Sequence, residues 1–154
     1  MHGFFSDSKV LWRTVLVLLG VVSAAAWTIG AELLIDHRIA RVVTAAAWIE
    51  CAVYAAVVVF VTDQFAIAIA NYLPSTLFLI AAFFTSYRAG GGMPVAIGLG
   101  GLVLTLVAAG VQQARLALHP TYFNHNALYH LLQGIALFFI FRSGLFLTTP
   151  VPGP

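Results

Sequence analysis

The sequence predicts an all-α integral membrane protein, a helical bundle with about five transmembrane helices and short loops. Of its 154 residues, 62% are hydrophobic and only 8% are charged, and the mean hydropathy is +1.00. Soluble domains carry charge on about a quarter of their residues, so seven basic and five acidic side chains are too few to cover one. The composition excludes a cytosolic enzyme, a disordered chain and a nucleic-acid-binding protein.

Charged residues divide the chain into apolar runs of membrane-spanning length. A helix needs about 20 mostly apolar residues to cross the hydrocarbon layer, whereas barrel strands are about half as long and alternate in polarity. We therefore predict a single polytopic membrane domain over residues 1–154, embedded in the lipid bilayer, with a short tail at 148–154. The predicted helices lie near 11–35, 41–62, 65–86, 94–115 and 126–147.

The first two predicted helices are separated by the charged connection Asp36–Arg38. The first contains a charge-free run, and the second is interrupted only by Glu50, the deepest carboxyl group in the chain. A carboxyl group at this depth fits a proton relay or an ion site, and it fits a protonated, hydrogen-bonded Glu equally well. Both readings remain open from the sequence.

The third and fourth predicted helices meet at a glycine-rich connection. Asp63 precedes the third run, Arg88 follows it, and three consecutive glycines then lead to Pro94. Glycines favour a turn, and proline suits the first turn of a helix. Pro74, inside the third run, predicts a kink.

Small residues at four-residue spacing predict where helices approach closely. The short connections also predict that successive helices are antiparallel neighbours. The small-residue sets are Gly20, Ala24 and Thr28, then Ala52 and Ala56, and finally Gly101, Thr105 and Ala109.

Basic residues give a small orientation preference. We call the N-terminal side of the predicted bundle side A and the opposite side side B. Because cytoplasmic loops are enriched in Lys and Arg, side B is favoured as cytoplasmic, with the N-terminus outside and the C-terminus in the cytoplasm. Side A has Lys9, Arg13 and Arg115, and side B has Arg38, Arg41, Arg88 and Arg142.

Uncharged polar residues gather on side A. On the fifth predicted helix, Asn126, His130 and Gln133 fall at i, i+4 and i+7, which places them in one stripe. Gln112 and Gln113 end the fourth predicted helix on the same side. Polar groups in a bilayer tend to face a bundle interior or a water-filled cavity, so these residues predict a polar site.

Three histidines on side A have the composition of a catalytic zinc site. His2, His125 and His130 come from separated segments, and three protein ligands plus a water are typical of such a site. Asp7 or Asp63 would act as general base. A single imidazole also fits simpler roles, which are a hydrogen bond to Gln112, Gln113 or Asp63 and ligation of a haem or chlorin by His130 or His125.

Two segments carry a family resemblance. His2-Gly3-Phe4 followed by Leu11-Trp12, together with Tyr129–Gly134 on the last helix, resembles the alkaline ceramidase and progestin/adiponectin-receptor-like group (CREST superfamily) of seven-helix membrane hydrolases. The likeness covers the last five of seven helices.

This resemblance implies zinc-dependent hydrolysis of a lipid amide. It places His2 and His130 at metal-ligand positions and Asp7 near the position of the acid. The family's His-x-x-x-His pair has Asn126 at its first position here, with His125 as the neighbouring substitute. The two N-terminal helices of the family, and the Ser they carry, have no counterpart in residues 1–154.

A second function class is a non-catalytic accessory subunit of a larger membrane assembly, including a respiratory or photosynthetic one. The chain combines short polar loops with three Trp and twelve Phe, and no extramembrane domain is predicted. Its partners would be other membrane subunits or further copies of itself.

Overall fold

The computed structural model describes residues 3–119 and 122–148, with side chains over 9–119 and 122–147. These residues contain no β-strand and form five α-helices, which confirms the all-α fold class. The helices are α1 (Gly3–Leu34), α2 (His37–Phe60), α3 (Phe65–Ser86), α4 (Gly92–Gln113) and α5 (His125–Thr148), with a π-helical turn at Tyr87–Gly91 between α3 and α4.

Two helices begin four or more residues before their predicted starts. α1 begins at Gly3 instead of residue 11, and α2 begins at His37 instead of residue 41. The cause for α2 is an N-cap, because the Asp36 carboxylate accepts a hydrogen bond from the backbone N–H of Arg38 at 2.9 Å. Such a cap satisfies one of the free N–H groups of the first turn, so the charged connection is itself the start of the helix.

Four continuous helical stretches are long and apolar enough to span a membrane in the described part of the chain. One of them, Phe65–Gln113, has 49 residues and would be about 74 Å long as a straight helix, over twice the hydrocarbon thickness. The predicted glycine turn interrupts it. Gly90 has φ +103° and Gly92 has φ +64°, a region that glycine adopts without steric cost, so α3 and α4 are separate helices.

The chain forms two compact units, Met1–Ala82 and Phe83–Pro154. In the first unit, α1 runs antiparallel to α2. Tyr54 Oη donates to the Leu16 carbonyl at 3.1 Å, and further along α1 the buried Ala24 packs with Ala47 and Cys51. Residues later in α1 therefore contact residues earlier in α2. This confirms the predicted antiparallel pairing of these two successive helices.

α1 is parallel to the part of α3 that belongs to the same unit, residues 65–82. Ser23 Oγ lies 3.0 Å from Ser75 Oγ, and the Trp27 and Phe78 rings stack with centroids 4.8 Å apart. Both Ser23 and Ser75 are fully buried. The first unit is thus held by one helix that contacts two others.

Of the small-residue sets in the first unit, one prediction is confirmed and one is wrong. Gly20 and Ala24 are buried on α1, but Ala52 and Ala56 are exposed on α2. The inner face of α2 is larger, since Tyr54 and Cys51 lie against Gly20. A small residue on one helix here accommodates a large one on its neighbour.

The second unit is an antiparallel pair of helices. Gly98 lies against Ser143, and Gly101 lies against the carbonyl of Ala136. Thr105 continues this buried face of α4, which confirms close approach at the predicted Gly101 set.

The connection before α5 explains where that helix starts. Asn124 Oδ1 accepts hydrogen bonds from the backbone N–H groups of Asn126 and Ala127 at 3.1 and 3.0 Å. Just before it, His119 and Phe123 exchange two backbone hydrogen bonds of 3.1 Å. Asn124 is therefore the N-cap, and α5 begins at His125.

Candidate functional site

The predicted polar site on side A is partly assembled in the second unit. Gln112 Nε2 donates to Asn126 Oδ1 at 2.9 Å, which ties the end of α4 to the start of α5. Gln112 Oε1 is buried without a hydrogen-bond partner. Gln133 is half-buried, and Gln113 is exposed. Two of the four predicted lining residues are thus in direct contact.

The two histidines of α5 lie on different sides of the helix. His125 is the first residue of α5 and is half-buried, whereas His130 is exposed. Five positions at 100° each place their side chains about 140° apart. The His130 ring contacts Tyr129, with ring centroids 5.0 Å apart.

Asp63 has a structural role in the first unit. Its carboxylate lies 3.4 Å from Arg13 Nε, and its backbone carbonyl accepts a hydrogen bond from Trp12 Nε1 at 2.9 Å. Two neighbouring residues of α1 therefore hold the connection between α2 and α3. The carboxylate predicted as a general base is engaged by a guanidinium group.

The predicted zinc ligands can be compared with the structure only in part. His2 lies outside the described residues, and Asp7 belongs to α1 but its side chain is outside the described ones. Among the side chains described, those of residues 9–119 and 122–147, no three His, Cys, Asp or Glu lie together as metal ligands would. The described residues alone do not fit a three-ligand zinc centre, so the zinc site, and equally the haem or chlorin site, stays a prediction.

A polar pair of different composition lies at the middle of the first unit. Glu50 is the fourteenth of the 24 residues of α2, about 20 Å from one end of the helix and about 15 Å from the other. Asn71 Nδ2 of α3 donates a hydrogen bond to its carboxylate. Glu50 is nevertheless exposed, and Asn71 Oδ1 is buried without a partner.

Two grooves are lined by Glu50. The larger, about 670 Å³, separates α2 from α3, and the smaller, about 320 Å³, is lined by Trp27, Val43, Ala46, Ala47 and Glu50. We call the larger groove and its rim the Glu50 face. Its residues are Ala46, Ile49, Glu50, Val53, Tyr54, Val57, Ile67, Ala70 and Asn71.

A second acceptor lies beside the pair on α3. Pro74 has no N–H, so the Ala70 carbonyl one turn earlier has no helical donor. Ala70 also lines the Glu50 face. The polar groups of the Glu50 face are thus richer in acceptors than in donors.

Sequence reasoning identified Glu50 but did not predict Asn71 as its partner. The available signal was an Asn one turn before Pro74 in an otherwise apolar run. The sequence did not show that α2 and α3 pair so that Asn71 meets Glu50.

Comparison with known proteins identifies a family. A family model described as "Family of unknown function (DUF6962)" matches residues 1–149. No curated protein and no solved structure matches the chain.

Proposed function

The chain belongs to DUF6962, a family of unknown function, and from its own geometry we propose that it is a non-catalytic membrane subunit. It binds a partner membrane protein through the Glu50 face. The observation that supports this proposal is a carboxyl group that is exposed halfway along an apolar helix.

The energetic argument concerns the acceptors of this face. An acidic residue at the centre of a membrane helix costs about 2.5–3.5 kcal/mol on insertion scales. A carboxylate has about four lone-pair sites, and Asn71 is the one side-chain donor to Glu50 in the described structure. A donor supplied from outside the chain therefore lowers the free energy of the exposed Glu50 carboxylate.

The depth of the pair argues for a protein partner. Lipid tails carry no hydrogen-bond donor, and lipid headgroups lie near the helix ends. A neighbouring transmembrane helix with a Lys, Arg, Asn, Gln or hydroxyl side chain supplies one at this depth, since polar side chains hydrogen-bond across membrane helices. Ala46 at the junction of the two grooves gives such a helix room for close approach.

The sequence of the chain favours a different protein over a second copy. Between Arg41 and Asp63, Glu50 is the only charged residue, and 64–87 and 89–114 have none. A second copy would therefore present another carboxyl group, not a cation, at mid-membrane depth. A partner with a basic or amide side chain complements the Glu50 face better.

Photo-crosslinking from α2 tests this function. With p-benzoyl-phenylalanine in place of Val53, on the Glu50 face, we expect one defined protein to be crosslinked in native membranes. Trp48 is the matched control, because it is an exposed aromatic residue at a similar depth, about 140° around the helix. Equal crosslinking from both positions, or none from Val53, contradicts the proposal. If the crosslinked product contains two copies of this chain, the Glu50 face mediates self-association and the accessory-subunit proposal is wrong.

Metal analysis separates this function from the hydrolase that the family resemblance implies. We expect purified protein to contain well under one zinc per chain and His130→Ala to leave its zinc content unchanged, because His125 and His130 lie about 140° apart around α5 and cannot bind one ion together. The hydrolase prediction instead requires about one zinc per chain, lost in His130→Ala. A visible absorption band that disappears in His130→Ala would support the haem or chlorin prediction.

A further inference from the structure

The second unit contains a cavity where the start of α4 meets the end of α5. Its volume is about 220 Å³. α4 begins at Gly92, and α5 ends at Thr148, so the cavity lies near one end of both helices, at the depth of a membrane interface. The cavity is lined by Met93, Pro94, Ile97, Arg142, Ser143 and Phe146.

Every charged side chain in this unit is basic. The unit Phe83–Pro154 contains Arg88, Arg115 and Arg142 and no Asp or Glu. Arg142 is exposed and forms no ion pair in the part of the chain that the structure describes. No side chain of its own unit can supply a counter-charge, so Arg142 is available to an anion that enters the cavity.

A second polar group in the cavity lacks a partner. Ser143 is 1% exposed, and its Oγ has no hydrogen-bond partner. Because Ser143 lines the cavity, a rotation about its Cα–Cβ bond brings this unpaired hydroxyl to a ligand beside Arg142. Two adjacent side chains on α5 thus offer a guanidinium group and a hydroxyl group to one small cavity.

The first turn of α4 also favours binding of an anion in this cavity. It has no side-chain N-cap and no acidic residue. The N-terminal end of a helix carries partial positive charge and attracts anions. This feature supports the anion preference that Arg142 and Ser143 already establish.

We propose that this cavity binds the phosphate of an anionic membrane lipid. The Arg142 guanidinium and the Ser143 hydroxyl donate to the phosphate oxygens, a geometry in which arginine makes strong paired hydrogen bonds. Basic pockets between membrane helices bind anionic headgroups in this way. The remaining lining is apolar, and Met93 and Phe146 are 73% and 48% exposed, so they are available to the lipid's glycerol and acyl chains. This lining favours a lipid over free phosphate.

Native mass spectrometry of the whole chain in mild detergent tests the proposal. The probes are phosphatidylglycerol and phosphatidylcholine with identical acyl chains, in equal amounts. We expect selective retention of phosphatidylglycerol. Arg142→Gln should lower that retention about tenfold and Ser143→Ala about threefold, since a hydrogen bond to a charged group contributes more than one between neutral groups.

The matched control removes a positive charge at the other end of α4. Arg115 follows α4 with φ +52°, a conformation that Asn tolerates well, so Arg115→Asn deletes the charge with little strain. We expect it to retain phosphatidylglycerol as the wild type does. Equal loss in this control, or equal retention of the two lipids by the wild type, overturns the proposal.

Two further arms complete the test. If inorganic phosphate alone binds through Arg142 while neither lipid is retained, the cavity is a phosphate site and the lipid proposal is wrong.

Should Arg142→Gln lose helicity by circular dichroism, Arg142→Lys replaces it. This variant keeps the charge and should still weaken retention, because an ammonium group cannot make the paired contact. Unchanged retention in a folded Arg142→Lys and Ser143→Ala double variant overturns the proposal.

Discussion

Glu50→Leu is expected to abolish association with the partner protein while leaving the isolated chain folded. Truncating one member of a buried, hydrogen-bonded polar contact between proteins costs about 2–5 kcal/mol, so binding should weaken at least about thirtyfold. The isolated chain loses only the hydrogen bond from Asn71 and gains an apolar surface suited to lipid. We therefore expect its stability to remain within about 1 kcal/mol of the wild type.

The measurement has two parts. Tagged chain is purified from native membranes, and the partner identified by crosslinking at Val53 is quantified. Thermal unfolding of the isolated chain in detergent is followed by circular dichroism. Loss of the partner together with unfolding would indicate a structural role for Glu50, and full retention of the partner would exclude the Glu50 face as its binding site.

Glu32→Leu is the matched control. Glu32 is an exposed acidic residue near the end of α1, and its carboxylate lies 3.4 Å from His37 Nδ1. Surface pairs of this kind contribute little, so partner binding should be unchanged. Glu50→Gln adds a distinction, because it keeps the size of the side chain and removes its charge. A basic partner residue predicts weaker binding to Glu50→Gln, and a neutral donor predicts nearly unchanged binding.

The helices were predictable because the lipid environment restricts where charges lie. α3 has the bounds expected from Asp63 and Arg88, which mark its two ends, and glycines marked the turn before α4. The start of α2 was placed too late because Asp36 has two functions. It is a charged connection in the sequence and an N-cap in the structure, and only the hydrogen bond distinguishes them.

The pairing of helices was less predictable, since residue spacing along one helix does not show which face its neighbour contacts. Ala52 and Ala56 have the spacing of a packing face, yet they are exposed, because Gly20 accepts the ring of Tyr54 from the adjacent face of α2. The Glu50–Asn71 contact joins residues 21 positions apart. The sequence showed the depth of Glu50 but not its partner. The Gln112–Asn126 contact is easier to predict from the sequence, because both residues flank one short connection.

Gly101→Ala is expected to destabilise the second unit by about 1–3 kcal/mol, the usual cost of overpacking. An added Cβ would lie 2.7 Å from the Ala136 carbonyl oxygen and 3.0 Å from atoms of Phe139 and Ile140. The nearest of these is a backbone atom, which cannot rotate away as a side chain does. Relief therefore requires α4 and α5 to move apart, and their separation also weakens contacts at Gly98 and Thr105.

Gly100→Ala gives the matched comparison on the same helix. A Cβ at Gly100 meets nothing within 4 Å, so the change adds only helix propensity, about 1 kcal/mol in favour of the folded state. The two variants have the same composition and differ by one position. Opposite shifts in the thermal unfolding temperature of the detergent-solubilised protein are therefore due to the α4–α5 contact alone. Equal shifts would mean that these helices do not meet at Gly101, and the cavity formed by Pro94 and Arg142 would then lose its basis as well.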